Sequence, residues 1–598
     1  MPALQRSAFT EAIQKHDPKS TAVVHSRSGR TFKYGGLLQD IAAARDTLLE
    51  STGKSEESIR GERIAFLVEN SYDYVVTLLA CLASNAIAVP LAPSFTPGEL
   101  RYSLNQSEAV ALLHSGKFEK MANEILKEGL ERPPARVAMA KILSQDQGTQ
   151  QEIELTGQAD KAEGGMMLYT SGTTARPKGV LLPHKALVAQ AKSLLEAWDY
   201  TPKDHLLHVL PLHHIHGTVN ALLTPILAGS TIEFMFPFNV DAAWNRFAAP
   251  FLPNGDRKPI TFFTVVPTIW ARMLQSHPGL PEDLQKAGDQ AIKRENLRLN
   301  ISGSAALPTP TKRAWTDLSS GNVLLERYGM TEAGMALSCG LDDSDRIDGS
   351  VGWPLPSVQA RLIDTDTNED ITDHISTEGK DISGEIQLKG PTIFKEYWNN
   401  PEATAKEFTH DGWFKTGDIA LRREVKGAGL GKSGEWARGP AWFIQGRKSA
   451  DIIKTGGEKV SALEIERELL SLPEVNECAV VGLPSAAWGQ KVAAVIVLSE
   501  KGKSAGKGGK EWSALDMRRA LHGKLVAYKI PQDMKVVEEL PRNAMGKINK
   551  KELVPKVFGD SERIRRRSVL VAEERLNAKA KQQTEQAQAN GGAADGTK

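Results

Sequence analysis

From Arg63 to Val323, short apolar runs alternate with amphipathic stretches. Ile64-Ala-Phe-Leu-Val68 is an unbroken apolar run of strand length, and residues 72–82 follow with apolar positions at helical spacing. Residues 206–210, 261–265 and 297–301 read as further strands, each trailed by a helical pattern. Such alternation predicts a parallel α/β sheet covered on both faces. Beyond Gly349 the rhythm shortens to strands and turns, as in Gly384-Glu-Ile-Gln-Leu-Lys-Gly390, which predicts a β-rich subdomain. A second break falls at Gly446-Arg447. After it come a helix over 461–470, strands over 477–483 and 492–498, a Gly/Lys-rich loop over 501–510 and a helix over 512–526. Ser461-Ala-Leu-Glu464 has the capping-box pattern, with Ser461 as N-cap and Glu464 reaching back. The expected fold class is α/β: a large N-terminal domain of layered sheets and helices (1–445) with its β-rich subdomain, then a small α+β domain (446–571). Residues 572–598 lack apolar anchors and are expected to be a disordered tail.

Composition excludes several classes. A chain of 598 residues exceeds one ordinary core. Hydrophobic residues at 41% and charged residues at 25% are those of a soluble globular protein. A formal net charge of +1 lacks the basic excess of a nucleic-acid binder. Cys81, Cys339 and Cys478 form neither a disulfide framework nor a zinc pattern, and fit a reducing compartment. No apolar run reaches the roughly 18–20 residues that span a bilayer. The N-terminus lacks a signal-peptide apolar region, Glu11 and Asp17 lie among its bases, and the final Gly-Thr-Lys is not a peroxisomal address. The expectation is cytoplasm, with the mitochondrion as the alternative.

Tyr169-Thr-Ser-Gly-Thr-Thr-Ala-Arg-Pro-Lys-Gly179 clusters the hydroxyls and glycine of Thr170, Ser171, Gly172, Thr173 and Thr174 ahead of Lys178. Backbone N–H and side-chain O–H groups of such a loop can surround phosphate oxygens while the lysine adds charge. Composition alone leaves a plain polar loop equally open, and G-x-x-x-x-G-K-[ST] is absent. Order decides. Glu326-Arg-Tyr-Gly-Met-Thr-Glu332, Lys415-Thr-Gly-Asp418, Gly446-Arg447 and Pro541-Arg-Asn-Ala-Met-Gly-Lys547 follow in turn. Over residues 20–557 these segments resemble the signatures of the adenylate-forming superfamily, which holds acyl-CoA synthetases, peptide-synthetase adenylation domains and beetle luciferases.

The resemblance implies that a carboxylate attacks ATP to give an acyl-adenylate and pyrophosphate, and that CoA then takes the acyl group and releases AMP. Catalysis would be mainly positioning and electrostatic stabilisation of phosphate oxygens. Glu332 resembles the carboxylate that holds Mg²⁺, a hard cation preferring oxygen. Thr173 and Thr331 would contact phosphate. Tyr328 would lie against the adenine, Glu326 and Gly329 would belong to the ATP/AMP site, and the backbone of Ser304 and Ala305 would line both adenine and acyl group. Asp418 would take the two ribose hydroxyls with its two acceptor oxygens, assisted by Arg447. Lys547 resembles the lysine that a mobile small domain delivers to the bridging oxygens. Rotation at Lys448 and Ser449 would then bring up Lys454-Thr-Gly-Gly457 to guide the CoA thiol, Gly456 and Gly457 allowing close backbone approach.

Pro211-Leu-His-His-Ile-His-Gly217 sets His214 at the family's acyl-pocket gate, with a catalytic role, and His216 as a donor to a polar substrate group. His213 reads better as a helix start. Met335 would line the acyl site. Arg298 lies in an apolar strand, where a charge is costly unless paired. A second substrate carboxylate would match its fork; an edge arginine reaching solvent is the plain alternative. Together with 327–338, these segments look closest to malonyl-CoA synthetases, implying malonate or methylmalonate, a place in fatty acid metabolism, and ATP, Mg²⁺ and CoA as cofactors. Ala175 departs from the family's usual Gly, and 422–441 and 501–510 read as surface insertions. Rival readings are a ligase for another small, medium-chain or aromatic acid, a non-catalytic nucleotide-binding relic, and acyl transfer to a carrier protein. Expected partners are the small-molecule carboxylate, ATP and CoA, without nucleic acid, in a monomer or weak dimer.

Overall fold

The computed structural model describes residues 3–143, 152–170, 176–253, 255–377, 380–485, 488–542, 548–550 and 552–559. The chain divides into two compact units, Met1–Ser449 and Ala450–Lys598. The first is built on a seven-stranded sheet, a nine-stranded sheet and a four-stranded sheet. In the nine-stranded sheet, His205–His208, Phe262–Val265, Leu299–Ser302 and Leu325–Met330 run parallel. All four residues of each of the first three are buried, as expected of strands covered on both faces. Parallel strands put their carboxyl ends on one edge, where ligands bind in open α/β sheets. Here that edge delivers Gly303 and Ser304, the Tyr328–Glu332 turn and the segment leading to His216.

The seven-stranded sheet contains Arg63–Leu67, whose neighbours are Ile87–Pro90 and Ala111–His114. The helix Tyr72–Ala83 is buried along its whole length, so its apolar surface extends round every face. The antiparallel sheet of Gln359–Ile363, Ser383–Lys389, Phe414–Arg423 and Ala441–Arg447 is the β-rich part. The 424–440 connection is not a free surface loop. Asp345 holds it, accepting from Gly429 N at 2.9 Å and Ser433 Oγ at 2.7 Å, and Ala437 is buried with Trp353 and Ala441.

In the second unit, Val475–Ser485 and Gly489–Leu498 form a long hairpin, with Ile452–Thr455 and Asp533–Val536 beside Gly489–Leu498. Ser461 caps the helix Ala462–Leu470 by accepting from Glu464 N at 3.1 Å. The reciprocal half differs from expectation: the Glu464 carboxylate takes Lys529 Nζ at 2.8 Å on both oxygens. A full capping box forms instead at Ser513 and Asp516, and starts the helix Ala514–Leu521. The tail beyond Gly559 lies outside the described residues. No described helix is long and apolar enough to cross a membrane.

Candidate active site

Gly165–Thr170 and Lys178–Pro183 pair antiparallel with Thr170 opposite Lys178, so the expected phosphate loop is a hairpin connector with a fixed mouth. Sequence reasoning passed from this loop to the helix at His184 and missed the strand Lys178–Pro183. Tyr169 and Tyr102 brace the mouth: Tyr169 Oη donates to Gln106 Oε1 at 2.6 Å, and Tyr102 Oη donates to the Pro177 carbonyl at 3.0 Å. Ser171, Gly172, Thr173 and Thr174 lie outside the described residues.

Across the hairpin, Lys395 N–H donates to Leu181 O and Trp398 N–H to Gly179 O. Tyr397, between them, faces two candidate residues at once. The Lys178 ammonium lies 4.3 Å from its ring centroid, and its hydroxyl donates to Glu332 Oε1 at 2.9 Å. Glu332 is 7% exposed, and burial raises its pKa. A buried carboxylate that resists ionisation is poised for a cation, which would stabilise the charged form. Thr331 is half-buried beside it.

Asp418 is buried on Phe414–Arg423, opposite Arg447 in register. Arg447 Nε contacts its Oδ1 at 2.8 Å, and Tyr328 Oη donates to Oδ2 at 2.5 Å. The pair of carboxylate oxygens expected for ribose is thus held by an arginine and a tyrosine. Gly329 follows where side chains have no room: a Cβ there would come 2.1 Å from Gly334 O.

On Leu325–Met330, Arg327 alternates with Tyr328. It is 4% exposed, and among the described residues its Nε has no hydrogen-bond partner and no carboxylate pairs with it. Its Nη2 donates to Ser304 Oγ at 3.4 Å, and burial lowers its pKa to about 9. Gly303 makes the room, because a Cβ would lie 2.5 Å from Arg327 Nε. Ser304, held at φ 67°, also lies 3.5 Å from His216 Nδ1, while His216 Nε2 meets Thr264 Oγ1 at 2.6 Å. Burial, and then the Arg327 charge, keep His216 well below its ordinary pKa. His216 starts a π-helical segment, His216–Leu223, of a kind frequent at functional sites. His214 ring-packs on His213 at 4.3 Å. Met335 is fully buried, with its N–H donating to Gln190 Oε1 at 2.7 Å.

Comparison with known proteins identifies the family. Residues 9–398 match the AMP-binding enzyme family and residues 464–547 its C-terminal domain. The chain belongs to the AMP-binding enzyme family. The AMP-binding enzyme is 61% identical over 595 residues to a CoA ligase of Gibberella moniliformis, covering 95% of this chain and 97% of that protein. It is 38% identical to the mitochondrial malonate–CoA ligase of Mus musculus, covering 84% and 83% of the two chains. ATP-bound MatB from Rhodopseudomonas palustris superposes with a TM-score of 0.72 at 31% identity, over 92% of this chain and 98% of the other. Family and relatives together place the AMP-binding enzyme among the AMP-forming acyl-CoA synthetases.

Two expected site residues of the AMP-binding enzyme have other partners. Arg298 precedes Leu299–Ser302 at the end opposite Ser304. Its guanidinium holds Asp204 with Nε at 2.7 Å and Nη2 at 2.5 Å, and also donates to the Trp198 and Asp199 carbonyls. The orphaned charge that suggested a substrate carboxylate is therefore neutralised within the fold. The orphan is Arg327; its signal was the same, a basic residue within a buried strand, but the surrounding motif drew attention to Tyr328 and Glu332. Glu326 forms a buried ion pair with Lys312 Nζ at 2.8 Å, on the strand face away from Arg327.

In the second unit, Gly456 and Gly457 have φ of 60° and 90°. Gly456 N–H donates to Trp488 O at 3.0 Å, and a Cβ on Gly456 would touch the half-exposed Trp488 ring at 3.0 Å. Lys454 is exposed. Lys547 lies outside the described residues.

Proposed function

We propose that this AMP-binding enzyme is an ATP-dependent malonate–CoA ligase that works through malonyl-adenylate. Arg327 carries the reading. Burying an unpaired guanidinium is costly, and a small dicarboxylate in the acyl site would supply a charged partner of matching geometry. A monocarboxylate with an apolar chain would leave it unpaired. The malonate–CoA ligase relatives support the same substrate.

In the first step one malonate carboxylate attacks the α-phosphorus of ATP; the bond to the bridging oxygen breaks and pyrophosphate leaves. Lys178 and the phosphate loop hold the triphosphate, and Asp418 with Arg447 holds the ribose. Among the described residues no group of three His, Cys, Asp or Glu side chains forms a metal cage. Mg²⁺ would bind through the Glu332 carboxylate and the nucleotide's phosphate oxygens, neutralising charge there. Lys547 would add charge at the departing phosphate. In the second step the CoA thiol gives up its proton and attacks the acyl carbon, forming the thioester and releasing AMP; Lys454 and the Gly456–Gly457 turn would guide it. Three buried cysteines suit a reducing compartment: the cytoplasm, or the mitochondrion as in the mouse relative. We expect a monomer or weak dimer.

Purified protein with ATP, Mg²⁺ and CoA should make thioester from malonate in strong preference to acetate, succinate, sulfoacetate and benzoate, read by mass. Arg327→Met should cost malonate roughly 100-fold in kcat/KM, since a charged hydrogen-bonded pair is lost, and leave acetate little changed. Undiminished preference for malonate in that variant would overturn the assignment.

A further inference from the structure

Tyr397 belongs to none of the segments that marked the site, yet it touches two residues that did. Its ring is 5% exposed. The ring packs on Phe394 with centroids 4.9 Å apart, and Phe394 packs in turn on Phe408 and Phe414. This apolar wall fixes the ring, while the hydroxyl reaches out of it to Glu332 Oε1. The backbone of the same segment grips Glu332 again, with Phe394 N–H donating to the Glu332 carbonyl at 2.7 Å. Two more backbone bonds, from Lys395 and Trp398, tie the segment to Lys178–Pro183. One short stretch thus fixes the candidate metal carboxylate and the strand that leaves the phosphate loop, with Lys178 resting on the tyrosine ring.

We propose that Tyr397 is a positioning residue for the adenylation step: its hydroxyl occupies one oxygen of Glu332 so that the other is presented to Mg²⁺, and its ring seats Lys178 for the triphosphate. The inference rests on the reading of Glu332 as the Mg²⁺ carboxylate. A carboxylate rotates about its terminal torsion over a broad range. A hydrogen bond to one oxygen removes that freedom before the cation arrives, and preorganisation of this kind is what metal ligands gain from their outer partners. Tyr397 touches the ligand, not the reacting atoms.

Tyr397→Phe removes one oxygen and keeps the ring, so folding and the Lys178 contact persist. Mn²⁺ binding to the enzyme–ATP complex, followed by electron paramagnetic resonance, should weaken roughly 10-fold or more, the range for outer-partner loss. The Mg²⁺ concentration for half-maximal pyrophosphate release should rise in parallel. ATP affinity without metal and the rate of thioester formation from synthetic malonyl-adenylate should stay within twofold. Tyr397→Leu, which also removes the ring, should weaken metal-free ATP binding as well. Glu332→Gln is the control: if it leaves Mn²⁺ binding intact, the Mg²⁺ assignment of Glu332 is wrong. If Glu332→Gln weakens Mn²⁺ binding but Tyr397→Phe does not, Tyr397 is only part of the apolar wall and this proposal fails.

Discussion

At the scale of single residues, two arginines separate what a strand's sequence says from what its ends decide. Arg298 and Arg327 both fall within sequences that read as apolar strands, and both are costly to bury alone. Arg298 precedes its strand at the amino end, where Asp204 meets it at 2.5–2.7 Å. Arg327 lies near the carboxyl-end edge, where Gly303 leaves space and, among the described residues, no carboxylate comes. Arg298→Ala should therefore leave the malonate-to-acetate ratio unchanged and lower stability instead. Asp204, 2% exposed, would lose its bidentate partner. With Arg298 itself partly exposed, roughly 1–3 kcal/mol is expected, read as a lower denaturation midpoint at unchanged denaturant slope. A shifted substrate ratio would return Arg298 to the acyl site. The distinction was not legible beforehand, because Asp204 lies 94 positions away in sequence.

At the scale of elements, periodicity located the strands well and their partners poorly. The strands near 64, 206, 261 and 297 formed where largely apolar runs are buried on both faces. The helix anticipated to 526 stops at Leu521, where His522 turns extended; the apolar spacing runs on only because the following turn still buries Leu525. The docking of 424–440 on Asp345 is a contact about eighty positions apart, and glycines and mixed charges in the loop carry no trace of it. Lys550 is a similar case. Its ammonium lies 2.6 Å from both Asp451 and Glu466, with all three side chains at most 15% exposed. Burial raises the Glu466 pKa, and Glu466 Oε1 also accepts the Val480 N–H at 2.7 Å. This lysine joins the start of the second unit, its first helix and its central hairpin. Lys550→Met should destabilise that unit by about 3–5 kcal/mol, the cost of stranding buried charge. Adding Glu466→Gln should recover part of it. Hydrogen exchange at the Val480 amide would report both; unchanged protection in Lys550→Met would show that the cluster is not what holds these elements together.

At the scale of the whole molecule, the histidines are divided unequally: twelve of the 13 lie in Met1–Ser449 and only His522 in the second unit. Two of the first unit's, His184 and His208, are 2% and 1% exposed, and desolvation lowers each pKa to about 4. In the unfolded chain they titrate near 6.5. The folded first unit thus binds fewer protons than its unfolded state between these values, and stability falls as pH drops through that window. At pH 5 each histidine should remove about 2 kcal/mol relative to pH 7. Glu233, held at about 2 by His205 and Arg246 despite burial, loses its contribution only below about 4.5, while the raised pKa of Glu332 in the same unit offsets part of the histidine loss. In the second unit the raised pKa of Glu466 acts in the opposite direction, since acid lessens the cost of its buried charge. Calorimetry at pH 7 and pH 5 should show the first unit's transition moving to lower temperature while the second unit's holds. Each transition can be assigned by Arg298→Ala and Lys550→Met, which shift one unit each. A second-unit transition that falls with acid as far as the first would mean that buried neutral histidines do not govern the acid response.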